Sequence, residues 1–293
     1  MSMLQYDFMQ RALIAALLIG IAAPAVGTFV VQRKLALLGD GIGHIALTGV
    51  ALGLMTSTSP VLVALVVSAL GAVAIELLRT QSRTGGDVAL ALLFYGGLAG
   101  GALLTSVSPG GSTANLMAYL FGSISSVSAT DLWVIVGLTV VVLAIVVIFG
   151  RELFLLCQDE EVARASGLPV RFLSLLLAVM AAMTVVVAMR AVGLLLVSAL
   201  MVVPVATAQQ FTRGFRATAV VAMGFGVLSA VGGLSGAFQI GTADVNVPPG
   251  PAIVLLALTL FLVAVVAGRA TRRRRTVPGK APGRVDSAAE VTG

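Results

Sequence analysis

The chain has 293 residues, of which 59% are hydrophobic and only 10% are charged, and its mean hydropathy is +1.09. Soluble domains carry about 25% charged residues, so this composition excludes a soluble domain and predicts a polytopic membrane protein. The single cysteine excludes an intramolecular disulfide. The net charge of +6 fits basic flanks that contact membrane lipid head groups, so we expect no nucleic-acid partner.

Apolar runs long enough to cross a bilayer recur along the whole sequence. A transmembrane helix needs about 20 apolar residues, because the hydrocarbon core is about 30 Å thick and each residue rises 1.5 Å. We therefore predict an all-α, integral membrane fold with about nine transmembrane helices, near residues 12–31, 35–55, 60–78, 86–106, 131–149, 171–189, 192–209, 217–235 and 250–268.

The basic residues predict how these spans are oriented. If the N-terminus is outside, all of the 18 lysines and arginines except Arg11 and Arg190 fall on the cytoplasmic side. The positive-inside rule therefore predicts a multi-pass protein whose C-terminus is cytoplasmic. We divide the chain into a transmembrane domain, residues 1–270, and a basic tail, residues 271–293, which is rich in Pro, Gly, Ser and charge and is predicted to be disordered.

Two connections on the predicted outer side are long. Residues 113–128 are too short and too rich in serine to span, yet they contain an apolar run, which favours a short re-entrant half-helix. An ordinary amphipathic loop helix is an equal alternative. Residues 236–250, which contain two consecutive prolines, predict an irregular surface loop.

A carboxylate and the only histidine lie four residues apart in the second predicted span. On a helix such positions share one face, with Cβ atoms about 6 Å apart, so that one cation can contact both Asp40 and His44. One oxygen and one nitrogen ligand suit Zn²⁺ and are tolerated by Mn²⁺. Two ligands are too few for a closed structural site, but they fit a transient transport site. The alternative is a packing histidine that is hydrogen-bonded to Asp40.

Residues 158–169 predict a short cytoplasmic helix between two spans. Acidic residues, including Glu160 and Glu161, occupy its first turn, whereas Gly167 ends it and Pro169 follows. Such a helix is either a docking surface or a solvated connector with no partner.

Other polar and small residues within the apolar segments are predicted to be structural. Glu76 and Arg79 lie at the cytoplasmic end of the third span, where their spacing favours a surface ion pair. The cluster of four glycines in residues 96–101 predicts close helix contacts.

The sequence contains no phosphate-binding loop. That motif needs a lysine followed by Ser or Thr, whereas Lys34 and Lys280 are followed by Leu35 and Ala281. We therefore expect no ATPase activity by that route in this chain.

Four segments resemble, in the same order, the permease family of bacterial zinc and manganese ABC importers. These segments are residues 27–46, residues 119–124, residues 192–208 and the turn from Pro248 to Gly250 before the last span. The resemblance covers residues 8 to about 270. It implies an ABC permease fold in the bacterial plasma membrane, with no enzymatic activity and no cofactor of its own.

The resemblance also implies roles for particular residues. Asp40 and His44 are expected to contact the transported metal. The family often has an acid before the turn that precedes the last span, whereas this chain has Asn246, so no metal role is assigned there.

The segment around Glu161, Ala163, Arg164 and Gly167 is implied to be the coupling helix that sits on a separate ATP-binding subunit. A homodimer supplied by an extracytoplasmic metal-binding protein is implied as well.

The expected function is therefore the permease subunit of an ABC importer for Zn²⁺ or Mn²⁺. Two alternatives stay open. A proton-coupled secondary transporter would use Asp40 as its protonation site and would need no ATPase. An ABC permease for a metal chelate, such as a siderophore or a corrinoid, would need a wider pathway.

Overall fold

The structure is a computed structural model that describes residues 7–81, 86–107, 120, 122, 128–241 and 248–275. These residues contain helices and no strand, so the all-α prediction is confirmed. The helices are α1 (Asp7–Gln32), α2 (Leu38–Met55), α3 (Pro60–Gln81), α4 (Gly86–Val107), α5 (Ala129–Gln158), α6 (Glu160–Ala165), α7 (Val170–Val192), α8 (Leu194–Ala208), α9 (Phe215–Ile240) and α10 (Pro249–Arg275).

Eight of these helices, α1 to α5, α7, α9 and α10, are long and apolar enough to cross a bilayer. The seventh predicted span forms α8, which has only 15 residues, or about 22 Å at 1.5 Å per residue. It begins directly after Gly193, whose φ of 94° interrupts the helical conformation between α7 and α8. Glycine adopts this conformation readily because it has no Cβ. The described part of the chain thus has eight candidate spans, one fewer than predicted.

Three predicted features lie largely outside the described residues. They are the half-helix at 113–128, the centre of the loop at 236–250, and the tail beyond residue 275. α10 continues to Arg275, past the domain boundary predicted at residue 270. The division into domains stays a prediction.

α1 packs against four other helices, α5, α7, α8 and α9. Its contact with α9 is made by backbone, because a Cβ added to Gly226 would collide with the carbonyl oxygen of Gly20 and with the ring of Pro24. Pro24 has no N–H, so the carbonyl of Gly20 lacks its usual helical partner. Small residues let membrane helices approach this closely.

The helices differ in how much apolar surface they bury. In the most apolar 18-residue stretch of each helix, 72% of the residues are buried in α1 and in α7, compared with 22% in α5 and in α10. α1 and α7 therefore lie inside the bundle, whereas α5 and α10 present apolar side chains to lipid or to another subunit.

Candidate metal site and coupling helix

α2 carries the predicted metal pair and packs against α8 through two glycines. A Cβ on Gly39 would meet Ser198 Oγ at 3.3 Å, and a Cβ on Gly43 would meet Leu194 Cδ1 at 2.8 Å. The later residue of α2, Gly43, meets the earlier residue of α8, Leu194, so the two helices are antiparallel. The glycines therefore hold the α2 backbone close to α8 at the level of the metal pair.

Asp40 and His44 lie one turn apart on α2, as predicted. His44 is buried, with 8% of its surface exposed, and Asp40 is half-buried. Among the described residues no hydrogen bond joins the Asp40 carboxylate to the His44 imidazole. Nδ1 of His44 is buried and has no hydrogen-bond partner among the described residues. The packing alternative, in which Asp40 is hydrogen-bonded to His44, is therefore not formed in this part of the chain.

α4 fixes the ring and the backbone of His44. The rings of Phe94 and His44 form a T-shaped contact, with a centroid distance of 4.4 Å and an interplanar angle of 75°. A Cβ on Gly97 would lie 2.6 Å from the amide nitrogen of Ile45, so only glycine fits this crossing. Thr48 Oγ1 donates a hydrogen bond of 2.8 Å to the carbonyl of Gly97 and joins the two helices again.

The described residues offer an incomplete set of metal ligands. They contain no group of three or more His, Cys, Asp or Glu side chains that could hold a metal ion. Ser198 Oγ is a further buried oxygen without a hydrogen-bond partner beside α2. His44 lies about 9 Å along the axis from the first residue of α2, and so nearer the middle of the helix than its end. An imidazole, a carboxylate and open positions for water suit a site that binds and releases a cation.

The short helix predicted in residues 158–169 is confirmed as α6, and its cytoplasmic position stays a prediction. The Asp159 carboxylate caps its first turn by accepting a hydrogen bond of 2.8 Å from the backbone N–H of Glu161. Gly167, with φ of 79°, ends it, and the N–H of Leu168 bonds to the carbonyl of Ala163 at 3.2 Å. Both ends of α6 are thus fixed by local hydrogen bonds.

The predicted coupling residues fall into two groups. Glu161 and Arg164 of α6 are exposed, and so is Gly167, which follows the helix. Ala163 is fully buried and packs into the bundle, so it holds α6 in place instead of facing a partner.

A cluster of charged residues, which we call the arginine–glutamate cluster, joins α6 to the end of α3 and to the turn between α1 and α2. It comprises Arg33, Glu76, Arg79, Glu160 and Arg164. Arg33, in the turn between α1 and α2, donates to the Glu160 carboxylate at 3.1 Å and lies 3.9 Å from that of Glu76. Arg79 donates to both oxygens of Glu76, at 2.7 and 3.1 Å, and Arg164 lies 3.3 Å from Glu160.

The prediction that Glu76 belongs to a surface pair is wrong, because Glu76 is only 5% exposed. Arg33 reaches it from the turn between α1 and α2 and also donates to Ser174 Oγ on α7 at 3.0 Å. Burial lowers the pKa of Arg33 below its usual value, and the positive charge of Arg79 lowers it further. The negative charges of Glu76 and Glu160 partly offset this. An arginine stays protonated under these influences, so Arg33 keeps its positive charge.

Sequence reasoning missed most of this cluster, as well as Phe94 and Ser198. The only local signal was the spacing between Glu76 and Arg79, which predicts the pair and not its burial. The contacts of Arg33 with Ser174 and Glu160 join residues 141 and 127 positions apart, and no local pattern predicts such contacts.

The chain is similar to known proteins over nearly its whole length. The sequence model of the ABC 3 transport family matches residues 5–268. The manganese transport system membrane protein MntC of Halalkalibacterium halodurans is 36% identical over 262 residues, which are 89% of this chain and 88% of that protein. The manganese import system permease protein ScaB of Streptococcus gordonii is 33% identical over 259 residues, 88% of this chain and 91% of that protein.

A solved structure agrees as well. PsaBC from Streptococcus pneumoniae in complex with Fab is 32% identical, with a TM-score of 0.80 over 92% of this chain and 96% of that chain. The predicted ABC permease fold and the resemblance read from the sequence are thereby confirmed. Because the family model matches far more than half of its length, the chain belongs to the ABC 3 transport family.

Proposed function

We propose that the chain is the membrane permease subunit of an ABC importer for a divalent metal ion, Mn²⁺ or Zn²⁺. Membership of an ABC transport family favours this function over the proton-coupled secondary transporter. MntC and ScaB are named for manganese, which makes Mn²⁺ the first cargo to test. Asp40 and His44 would contact the metal during passage.

The observation that carries the metal assignment is the buried Nδ1 of His44, which lacks a hydrogen-bond partner among the described residues and lies one turn from a carboxylate. A buried polar atom without a partner costs about 1–3 kcal/mol, so such atoms are uncommon in folded proteins. A passing cation would use the free lone pair of the imidazole, and the charge of Asp40 would favour its entry. The oxygen and nitrogen donors accept both Mn²⁺ and Zn²⁺.

α6 is the proposed contact with a separate ATP-binding subunit. Its exposed residues Glu161 and Arg164, together with Gly167 after it, would face that subunit, and local hydrogen bonds fix both of its ends. The ends of α1 and α3 meet α6 through the arginine–glutamate cluster, and Gly268 of α10 lies beside Gln210 after α8. This basic end would be cytoplasmic, together with the C-terminus.

The remaining parts of the proposal follow from the resemblance. Two copies of the chain would form the pathway, and an extracytoplasmic metal-binding protein would deliver the ion. Residues 1–270 would form the permease domain, with residues 271–293 as a cytoplasmic tail. The chain itself would neither hydrolyse ATP nor need a resident cofactor.

The test is uptake of radioactive Mn²⁺ and Zn²⁺ into vesicles that contain the chain with its ATP-binding subunit and metal-binding protein. We expect uptake of at least one metal that depends on ATP and stops when the ATP-binding subunit is inactivated. Uptake by the chain alone under a pH gradient would instead support the secondary transporter. Uptake of a siderophore or corrinoid complex, with no effect of free metal, would support the chelate permease.

A further inference from the structure

A cavity of about 920 Å³ lies between α1, α5 and α9, away from Asp40 and His44. Most of its wall is apolar, with Val147 and Phe154 of α5 on one side and Val220 and Met223 of α9 on the other. Phe29 of α1 lines it as well and is itself buried. The mostly exposed stretch of α5 forms one wall, so the cavity faces the lipid side of the bundle.

Two arginines, Arg151 and Arg216, line the same cavity. Both are exposed, and neither has an ion-pair or hydrogen-bond partner in the part of the chain that the structure describes. Every other residue that lines the cavity is uncharged. The cavity therefore combines an apolar wall with two cationic groups that have no counter-charge.

The arginines lie at the depth of lipid head groups. Residues 132–150 of α5 carry no charge and extend over about 28 Å, which is close to the thickness of the hydrocarbon core. Arg151 follows directly, on the side of the bundle that carries α6, and Arg216 is the second residue of α9 at the same end. A molecule held by both would have its charge at the membrane surface and its apolar part in the core.

We propose that this cavity binds one acidic phospholipid. The two guanidinium groups would pair with the anionic head group, since planar N–H donors match phosphate oxygens in two-point hydrogen bonds. An acyl chain would fill the space between α5 and α9. A zwitterionic lipid lacks the net negative charge that two unpaired arginines favour, and an uncharged peptide would leave both arginines unpaired. Basic cavities between membrane helices on the cytoplasmic side suit acidic lipids for these reasons.

The charge is tested with the double variant Arg151→Gln, Arg216→Gln. The full chain in detergent, freed of bulk lipid, is titrated with phosphatidylglycerol and with phosphatidylcholine, and bound lipid is counted by native mass spectrometry. We expect the wild type to retain one phosphatidylglycerol and to prefer it to phosphatidylcholine. The double variant should bind phosphatidylglycerol about 30-fold more weakly, at roughly 1 kcal/mol for each arginine.

The control is the double variant Lys34→Gln, Arg171→Gln. It removes the same charge from exposed residues at the same end of the bundle and outside the cavity. We expect it to bind phosphatidylglycerol like the wild type. Equal weakening in both double variants would show a general effect of charge and would overturn the site.

The apolar part of the proposed lipid site is tested by substituting two glycines of α5. A Cβ at Gly150, which lines the cavity, or at Gly137, which does not, would meet nothing within 4 Å. Gly150→Trp fills the cavity and leaves both arginines in place, so it should lose the bound phosphatidylglycerol, whereas Gly137→Trp should keep it. Two results would each overturn the proposal: retention of phosphatidylglycerol by Gly150→Trp, or equal retention of both lipids by the wild type.

Discussion

The guanidinium of Arg33 donates a hydrogen bond of 3.1 Å to the carboxylate of Glu160, 127 positions further along the chain. Arg33 lies in the turn that leads into α2, and Glu160 is the first residue of α6. The contact therefore joins the proposed coupling helix to the turn between α1 and α2, five residues before the helix that carries Asp40 and His44. A displacement of α6 by an ATP-binding subunit would act on the turn that leads into α2 through this pair.

The energy of this contact is measurable with a double-mutant cycle of Arg33→Gln and Glu160→Gln. We expect a coupling of about 1 kcal/mol in the free energy of unfolding, because the Glu160 side chain is one-third exposed and partly screened. The cycle of Arg164→Gln with Glu160→Gln is the control and should give less than about 0.5 kcal/mol, because the Arg164 side chain is 70% exposed. Chemical denaturation in detergent measures both, and equal couplings would contradict the ranking.

Glu76→Gln should destabilise the chain by about 3 kcal/mol, because it removes the buried carboxylate that lies between the guanidinium groups of Arg33 and Arg79. Glu161→Gln removes an exposed carboxylate of α6 and should cost less than about 1 kcal/mol. The free energies of unfolding of the two variants decide this. Equal losses would mean that the buried position of Glu76 does not matter.

Gly97→Ala should separate α2 from α4, because the new Cβ would lie 2.6 Å from the backbone nitrogen of Ile45. We expect a loss of about 1–3 kcal/mol in stability and lower metal uptake, since the same contact fixes His44. Gly96→Ala is the matched control on the same helix, where a Cβ would meet nothing within 4 Å. Similar stability and uptake in the two variants would contradict the close crossing of α2 and α4.

Gly167→Ala tests how α6 ends. A Cβ there would meet nothing within 4 Å, so the expected loss of about 1 kcal/mol comes only from the φ of 79°. Gly236→Ala, in open space within α9, should be neutral or stabilising because alanine favours a helix. Thermal unfolding compares them, and no loss for Gly167→Ala would show that α6 ends without this strain.

Local patterns predicted much of the fold. Long apolar runs predicted the spans, and the acidic first turn and Gly167 predicted α6, because each pattern is contained within one element. The spacing of Asp40 and His44 placed them on one face of α2 for the same reason. The length of α8 was not predicted, because hydropathy alone does not show that the helix is interrupted at Gly193.

Contacts between distant segments were beyond the reach of these patterns. The burial of Glu76 depends on Arg33, which arrives from another turn, and the position of Phe94 beside His44 depends on how α4 crosses α2. Packing decides which side chains meet across a helix bundle, and neither hydropathy nor helical spacing predicts that packing.

The central claim is that His44 belongs to the metal pathway. The most direct measurement is uptake of radioactive Mn²⁺ by the assembled transporter with His44→Ala and with His44→Gln, at equal membrane abundance. Ser68→Ala is the control, because it removes another buried polar atom that has no hydrogen-bond partner in the described residues. We expect uptake at least about tenfold lower for both His44 variants, which is 1.4 kcal/mol or more, and wild-type uptake for Ser68→Ala. Wild-type uptake by the His44 variants would contradict the claim.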